Sequence, residues 1–91
     1  MSVNVLIPTP LRKLTENHDV VTVEATTVDE LVNGLDQLFP GFGGRLRDEN
    51  GALRRFINIY VNDEDIRFLQ NKDTVLKDGD SVSIVPAIAG G

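Results

Sequence analysis

Thr27-Val28-Asp29-Glu30-Leu31-Val32-Asn33-Gly34-Leu35-Asp36-Gln37-Leu38-Phe39 is the stretch on which the fold turns. Thr27 and Glu30 have the spacing of a capping box, in which the Thr27 hydroxyl accepts from the Glu30 amide and the Glu30 carboxylate reaches back. Val28, Leu31, Val32, Leu35, Leu38 and Phe39 recur at helical spacing and predict one apolar stripe. Pro40-Gly41 ends the helix. One amphipathic helix has to bury its stripe against something, and the segments on either side of it read as strands.

Upstream, Ser2 to Ile7 alternates, with Val3, Val5 and Ile7 on one face and Asn4 and Leu6 on the other. Pro8-Thr9-Pro10 closes that strand, because proline removes ladder donors. Arg12 to His18 is a polar turn region. Asp19-Val20-Val21-Thr22-Val23-Glu24 is a second, β-branched strand, and the two strands read as a hairpin. Downstream, residues 42–55 lose their period to glycine and charge. Asp48-Glu49-Asn50-Gly51 is a turn, and Leu46 and Leu53 anchor the segment to the core through a short helical turn. Phe56 to Asn62 is the strongest strand, with Ile57, Ile59 and Val61 on one face. Asn62-Asp63-Glu64-Asp65 turns the chain, Ile66-Arg67-Phe68 makes a short return strand, and Lys77-Asp78-Gly79-Asp80 turns it again. Ser81 to Val85 is the last strand, with Val82 and Ile84 facing one way. The order is β-β-α-β-β.

A single helix covers one face of such a sheet, which leaves the other face to solvent or a partner. With the aliphatic sets turned inward, Leu6, Phe56, Tyr60 and Val85 fall on the open face, and an apolar patch there points to contact with a partner.

The 91 residues, 41% of them hydrophobic, fit one small domain, residues 1–91, with a flexible C-terminal tail over residues 86–91. No segment is apolar enough to span a bilayer, and the N-terminus lacks the layout of a signal peptide, so a cytoplasmic protein is expected. The absence of cysteine excludes a disulfide scaffold, thiolate metal sites and cysteine catalysis. A net charge of −5 argues against nucleic-acid or anionic-membrane binding.

The chain ends on Gly90-Gly91. One reading is a frayed terminus. The other makes the terminal carboxylate the reactive group, because glycine lacks a Cβ and can thread a narrow channel into another enzyme's site. The β-β-α-β-β order, the run Asn58-Ile59-Tyr60-Val61-Asn62-Asp63-Glu64-Asp65-Ile66-Arg67, and Asp78-Gly79-Asp80-Ser81-Val82-Ser83-Ile84-Val85-Pro86 leading into Ala89-Gly90-Gly91 resemble the ubiquitin-like sulfur-carrier proteins. That family includes the thiamine-pathway carrier and the small subunit of molybdopterin synthase. The resemblance covers essentially the whole chain. It implies an α+β, ubiquitin-like β-grasp fold, with a mixed sheet of four or five strands on one main helix. Within the family, Arg55 to Asp65 and the tail Val85-Pro86-Ala87-Ile88-Ala89-Gly90-Gly91 are most similar to the mycobacterial-type carriers of cysteine biosynthesis. The insertion between Gly41 and Arg55 is generally missing from thiamine-type carriers. Pro86-Ala87 stands where many molybdopterin synthase small subunits have a double proline.

The resemblance implies a protein co-substrate rather than an enzyme. The Gly91 carboxylate is adenylated by an E1-like, ATP-dependent enzyme and converted to a thiocarboxylate. Gly90, Ala89, Ile88 and Ala87 enter the partner with it, although Ile88 could equally fold back on the domain. Phe56, Tyr60, Leu6 and Val85 supply the docking surface. No cofactor or metal is bound, and ATP belongs to the activating enzyme. The acceptor expected is a cysteine synthase homologue, with a releasing metalloprotease as a further partner. The alternatives are a molybdopterin synthase small subunit and a ubiquitin-like modifier joined to lysines.

Other candidates read as structural. His18 sits in a polar turn with no second ligand at metal spacing. Asp63-Glu64-Asp65 lacks the oxygen-ligand spacing of a calcium loop and reads as a turn or an acidic contact. Gly41 to Gly44 lacks the Lys-Ser/Thr of a phosphate loop. Arg45, Arg47, Arg54 and Arg55, offset by Asp48 and Glu49, read as a solvated segment.

Overall fold

The computed structural model describes residues 2–86. Five strands are present: β1 Ser2–Leu6, β2 Val20–Glu24, β3 Ile57–Val61, β4 Glu64–Asp65 and β5 Ser81–Pro86. Two α-helices, α1 Val28–Leu38 and α2 Phe42–Leu46, lie between β2 and β3. The strands form one sheet in the order β2-β1-β5-β3-β4. β1 and β5 run parallel while the other pairs are antiparallel, which makes the sheet mixed.

The alternation read from the strands sets the core. Val3, Val5, Ile7, Ile57, Ile59, Val61, Val82 and Ile84 are all buried in one cluster with Val28, Leu31, Val32 and Leu35 of α1. Leu38 departs from the expected stripe and is 54% exposed. It is the last residue of α1 and lies at the margin of the apolar face, whereas Phe39 beyond it packs half-buried on the core. α1 approaches β2 closely enough that a Cβ on Gly34 would lie 2.7 Å from Val23 Cγ1, so the position has no room for a side chain. The Thr27 hydroxyl accepts from the Glu30 amide at 3.2 Å. The Glu30 carboxylate reaches back to Thr26, accepting from its amide at 2.9 Å and its hydroxyl at 2.6 Å.

Two segments differ from what the sequence led us to expect. Residues 9–15, which overlap the polar turn expected at Arg12 to His18, form a 3-10 helix whose Leu11 and Leu14 pack on the core and whose Thr15 is buried. α2 is the short helical turn expected in residues 42–55, with Phe42 and Leu46 entirely buried. Its glycine-rich start lowers helix propensity and hides it from periodicity. The Asp36 carboxylate compensates by accepting from the amides of Gly43 and Gly41, at 2.8 and 3.2 Å. The expected return strand at Ile66–Phe68 is instead a 3-10 turn, and β4 is Glu64–Asp65. Asn62 and Asp63 both take positive φ, 49° and 73°, so a two-residue loop reverses the chain and pairing begins two residues early. The Asp65 carboxylate then accepts from the Arg67 amide at 2.9 Å and caps the 3-10 turn in place of further strand.

Candidate functional site

β5 is the central strand, and it carries the chain toward its C-terminus. The Asp78-Gly79-Asp80 turn fixes where it starts. Gly79 adopts φ 86° and its amide donates to Ser2 O at 2.7 Å. Asp78 Oδ1 accepts from the Ser2 amide at 2.8 Å. Asp80 Oδ2 accepts from the Lys77 amide at 2.8 Å, and its Oδ1 accepts from Asn62 Nδ2 at 2.9 Å. Asn62 Oδ1 in turn accepts from the Ser81 amide at 3.0 Å. The Lys77 amide, then Asn62, hold the Asp80 carboxyl below the usual range, since hydrogen bonds to the charged form favour it. The turn thus ties β5 to β1 on one side and to the β3–β4 loop on the other. At its far end β5 reaches Pro86, which pairs with Ile57 and is strand rather than tail.

On the face away from α1, the register aligns Val20, Leu6, Ser83, Tyr60 and Asp65 across all five strands. Val85, opposite Asn58, lies two residues further along β5. Leu6, Val85 and Val20 are each more than two-fifths exposed and Tyr60 is half-buried. Leu6, Tyr60 and Val85 therefore share one open face, as their alternation implied. Val20 belongs with them but escapes the sequence pattern, because the Val20-Val21 pair leaves the alternation of β2 ambiguous. Its pairing with Leu6 is the available signal. Arg67 borders this row, donating from Nη2 to Asp65 Oδ2 at 2.8 Å and also to Asn58 Oδ1. Arg67 holds the Asp65 carboxyl below the ordinary range, and the same contact raises the Arg67 pKa. Asp65 is thus a paired structural carboxylate, not an acid–base group.

Phe56 is a correction. It lies in the turn before β3, outside the row of Leu6 and Tyr60. Its ring, half exposed, lines a hollow of about 320 Å³ beside Pro86, together with Leu11, Lys13, Arg45 and Arg54. The strand alternation could not place it, because the ladder begins only at Ile57. Phe68, which the sequence placed in a return strand, is 86% exposed in the 3-10 turn after β4. Ala87, Ile88, Ala89, Gly90 and Gly91, on which the tail and thiocarboxylate assignments rest, lie outside the described residues.

The remaining candidates are local structure. His18 Nδ1 lies 2.7 Å from Thr15 O, within its own turn. No cluster of three potential metal-ligating side chains occurs among the described residues. Arg47 ion-pairs with Asp29 at 2.9 Å and so leaves the basic group to which the sequence assigned it. No helix among the described residues is long and apolar enough to cross a membrane.

With this geometry in place, the comparisons with known proteins agree with one another. The chain matches the ThiS family over residues 5–91. The sulfur carrier protein CysO of Mycobacterium tuberculosis is 45% identical, with all of both chains aligned. The molybdopterin synthase sulfur carrier subunit of the same organism is 34% identical over 85% of this chain and 78% of that protein. The crystal structure of M. tuberculosis CysO superposes with a TM-score of 0.89 at 43% identity, covering 94% of this chain and 99% of that one. A chain of the Amycolatopsis orientalis BexX/CysO complex gives a TM-score of 0.91 at 44% identity, covering 98% and 99%. The fold is the ubiquitin-like β-grasp, and the chain belongs to the ThiS family.

Proposed function

We propose that this chain is a sulfur carrier whose Gly91 carboxylate is converted to a thiocarboxylate, with cysteine biosynthesis as the destination of the sulfur. The observation that carries this reading is full-length similarity to the CysO sulfur carrier protein, in a chain that ends on Gly90-Gly91. A carboxylate resists attack because its charge repels nucleophiles and oxide is a poor leaving group. Reaction with ATP releases pyrophosphate and leaves an acyl-AMP mixed anhydride. Hydrosulfide then forms the C–S bond as the C–O bond to AMP breaks. A persulfide donor gives an acyl disulfide instead, which a thiol cleaves to the same product. Activation before displacement is the logic of covalent catalysis. With no cysteine in the chain, the carboxyl terminus is the place where such a carrier can hold sulfur.

In this reading the chain supplies the reacting terminus and a docking face of Leu6, Tyr60 and Val85. An adenylating enzyme and a sulfur acceptor, a cysteine synthase homologue, supply the catalytic side chains. The test is incubation with the adenylating enzyme from the same genome, ATP and sulfide, followed by intact-mass measurement. One oxygen-to-sulfur exchange is expected, and deletion of Gly91 removes it. An unchanged mass with every adenylating enzyme of that genome refutes the reading. The 34% identity to a molybdopterin synthase sulfur carrier subunit supports a second reading, in which copurification with the large subunit of that synthase is the result expected.

A further inference from the structure

The hollow beside Pro86 has a chemistry unlike the rest of the chain. Among its lining residues are Lys13, Arg45 and Arg54, and no acidic side chain lines it. Arg54 donates from Nε to Gly44 O at 3.1 Å, but none of the three makes an ion pair among the described residues. Arg45 and Arg54 belong to the arginine group already visible in the sequence, whereas Lys13, from the 3-10 helix after β1, joins them only in the fold. At the opposite end of β5 the charge reverses. Glu24, Asp63, Glu64, Asp78 and Asp80 gather around the start of the strand, with Lys77 among them. A chain of net charge −5 is therefore polarised along β5, negative where the strand begins and positive where the chain leaves it.

We propose that Lys13, Arg45 and Arg54 form a cationic collar that docks on an acidic protein segment at the mouth of the partner's channel. This rests on the carrier reading given above, because the collar surrounds the point from which the tail would enter. An acidic protein segment fits better than a nucleotide phosphate. Residues 87–91 span roughly 17 Å when extended, so in an inserted tail the phosphate joined to Gly91 lies far beyond the collar. The polarity also turns the tail end toward an acidic mouth before contact, which raises productive encounters more than it deepens the bound state. Phe56, half exposed, adds an apolar surface to the lining of the same hollow.

The test is titration of the ¹⁵N-labelled full chain with a deca-glutamate peptide at low salt. Amide shifts are expected at residues 11–13, 44–45 and 54–56, lost in 0.3 M salt and in a K13E/R45E/R54E variant. The exposed single change Arg45→Glu weakens the shifts even if the triple variant fails to fold. Shifts elsewhere, or none, overturn the proposal. So do stronger shifts at the same amides with AMP, which mark a phosphate site. A large gain in peptide binding on removal of residues 87–91 also overturns it, by showing that the chain's own terminus occupies the hollow. In sulfur loading by the adenylating enzyme, the variants raise KM for the carrier about tenfold and leave kcat unchanged; an unchanged KM counts against the collar. A wild-type chain that acquires no sulfur defeats the carrier reading alone, because the peptide titration still decides the collar.

Discussion

The two ends of β5 are built on opposite principles. At the Ser81 end, the polar groups of the turn are engaged with one another. Gly79, Asp78, Asp80 and Asn62 close a set of hydrogen bonds to Ser2, Lys77 and Ser81. At the Pro86 end, three cations border a hollow that no carboxylate among the described residues lines. Saturated polar groups define position, while unsatisfied ones attract something from outside. The strand is thus pinned where it starts and left receptive where it ends.

The largest expected effect lies beyond the receptive end. Deleting Gly91 removes sulfur loading altogether while the melting temperature stays within a degree or two, which separates chemistry from fold in one variant. Next comes the middle of the strand. Ile84 is buried and pairs with Ile59, so Ile84→Ala costs about 3 kcal/mol in urea unfolding. Any loss of sulfur loading in that variant should follow the fraction unfolded.

Smaller effects test the pinned end. Gly79 has open space for a Cβ but sits at φ 86°, so Gly79→Ala costs roughly 1–2 kcal/mol through backbone strain alone. Asp80→Ala removes two hydrogen bonds and costs about 1 kcal/mol. The smallest effect is the acid dependence. Asp80 and Asp65 have folded-state pKa values below their unfolded ones. Their contribution is complete above the unfolded aspartate value, about 3.9, and is lost as pH falls through the lower folded values. Asp80→Ala should flatten that part of the acid-unfolding curve. An unchanged curve would mean that the turn does not pin the strand.

The sequence revealed the elements whose own residues decide their structure. The alternation of β1, β3 and β5 and the cap at Thr27 needed no partner to be recognised. The inward set of Val82 and Ile84, and with it the outward face of Leu6, Tyr60 and Val85, rests on a period of two. The features that stayed hidden depend on distant atoms. The cap on α2 is one, since the Asp36 carboxylate of α1 accepts from the Gly41 and Gly43 amides. Ile66–Phe68 has strand-like residues, but a positive-φ loop at Asn62-Asp63 and a cap from Asp65 convert it to a 3-10 turn. Extending the β3 alternation one residue past the ladder misplaces Phe56. Arg45 and Arg47, close in sequence, have different fates, since one lines the hollow and the other pairs with Asp29.

The central position of β5 also has a mechanical consequence. It is bonded to β1 along one edge and to β3 along the other. A pull applied at Pro86 along the strand loads both ladders in shear, so their bonds resist together instead of opening one after another. An edge strand drawn the same way would have only one ladder to share the load. A force applied at that end is therefore shared by the two ladders of the sheet's central strand.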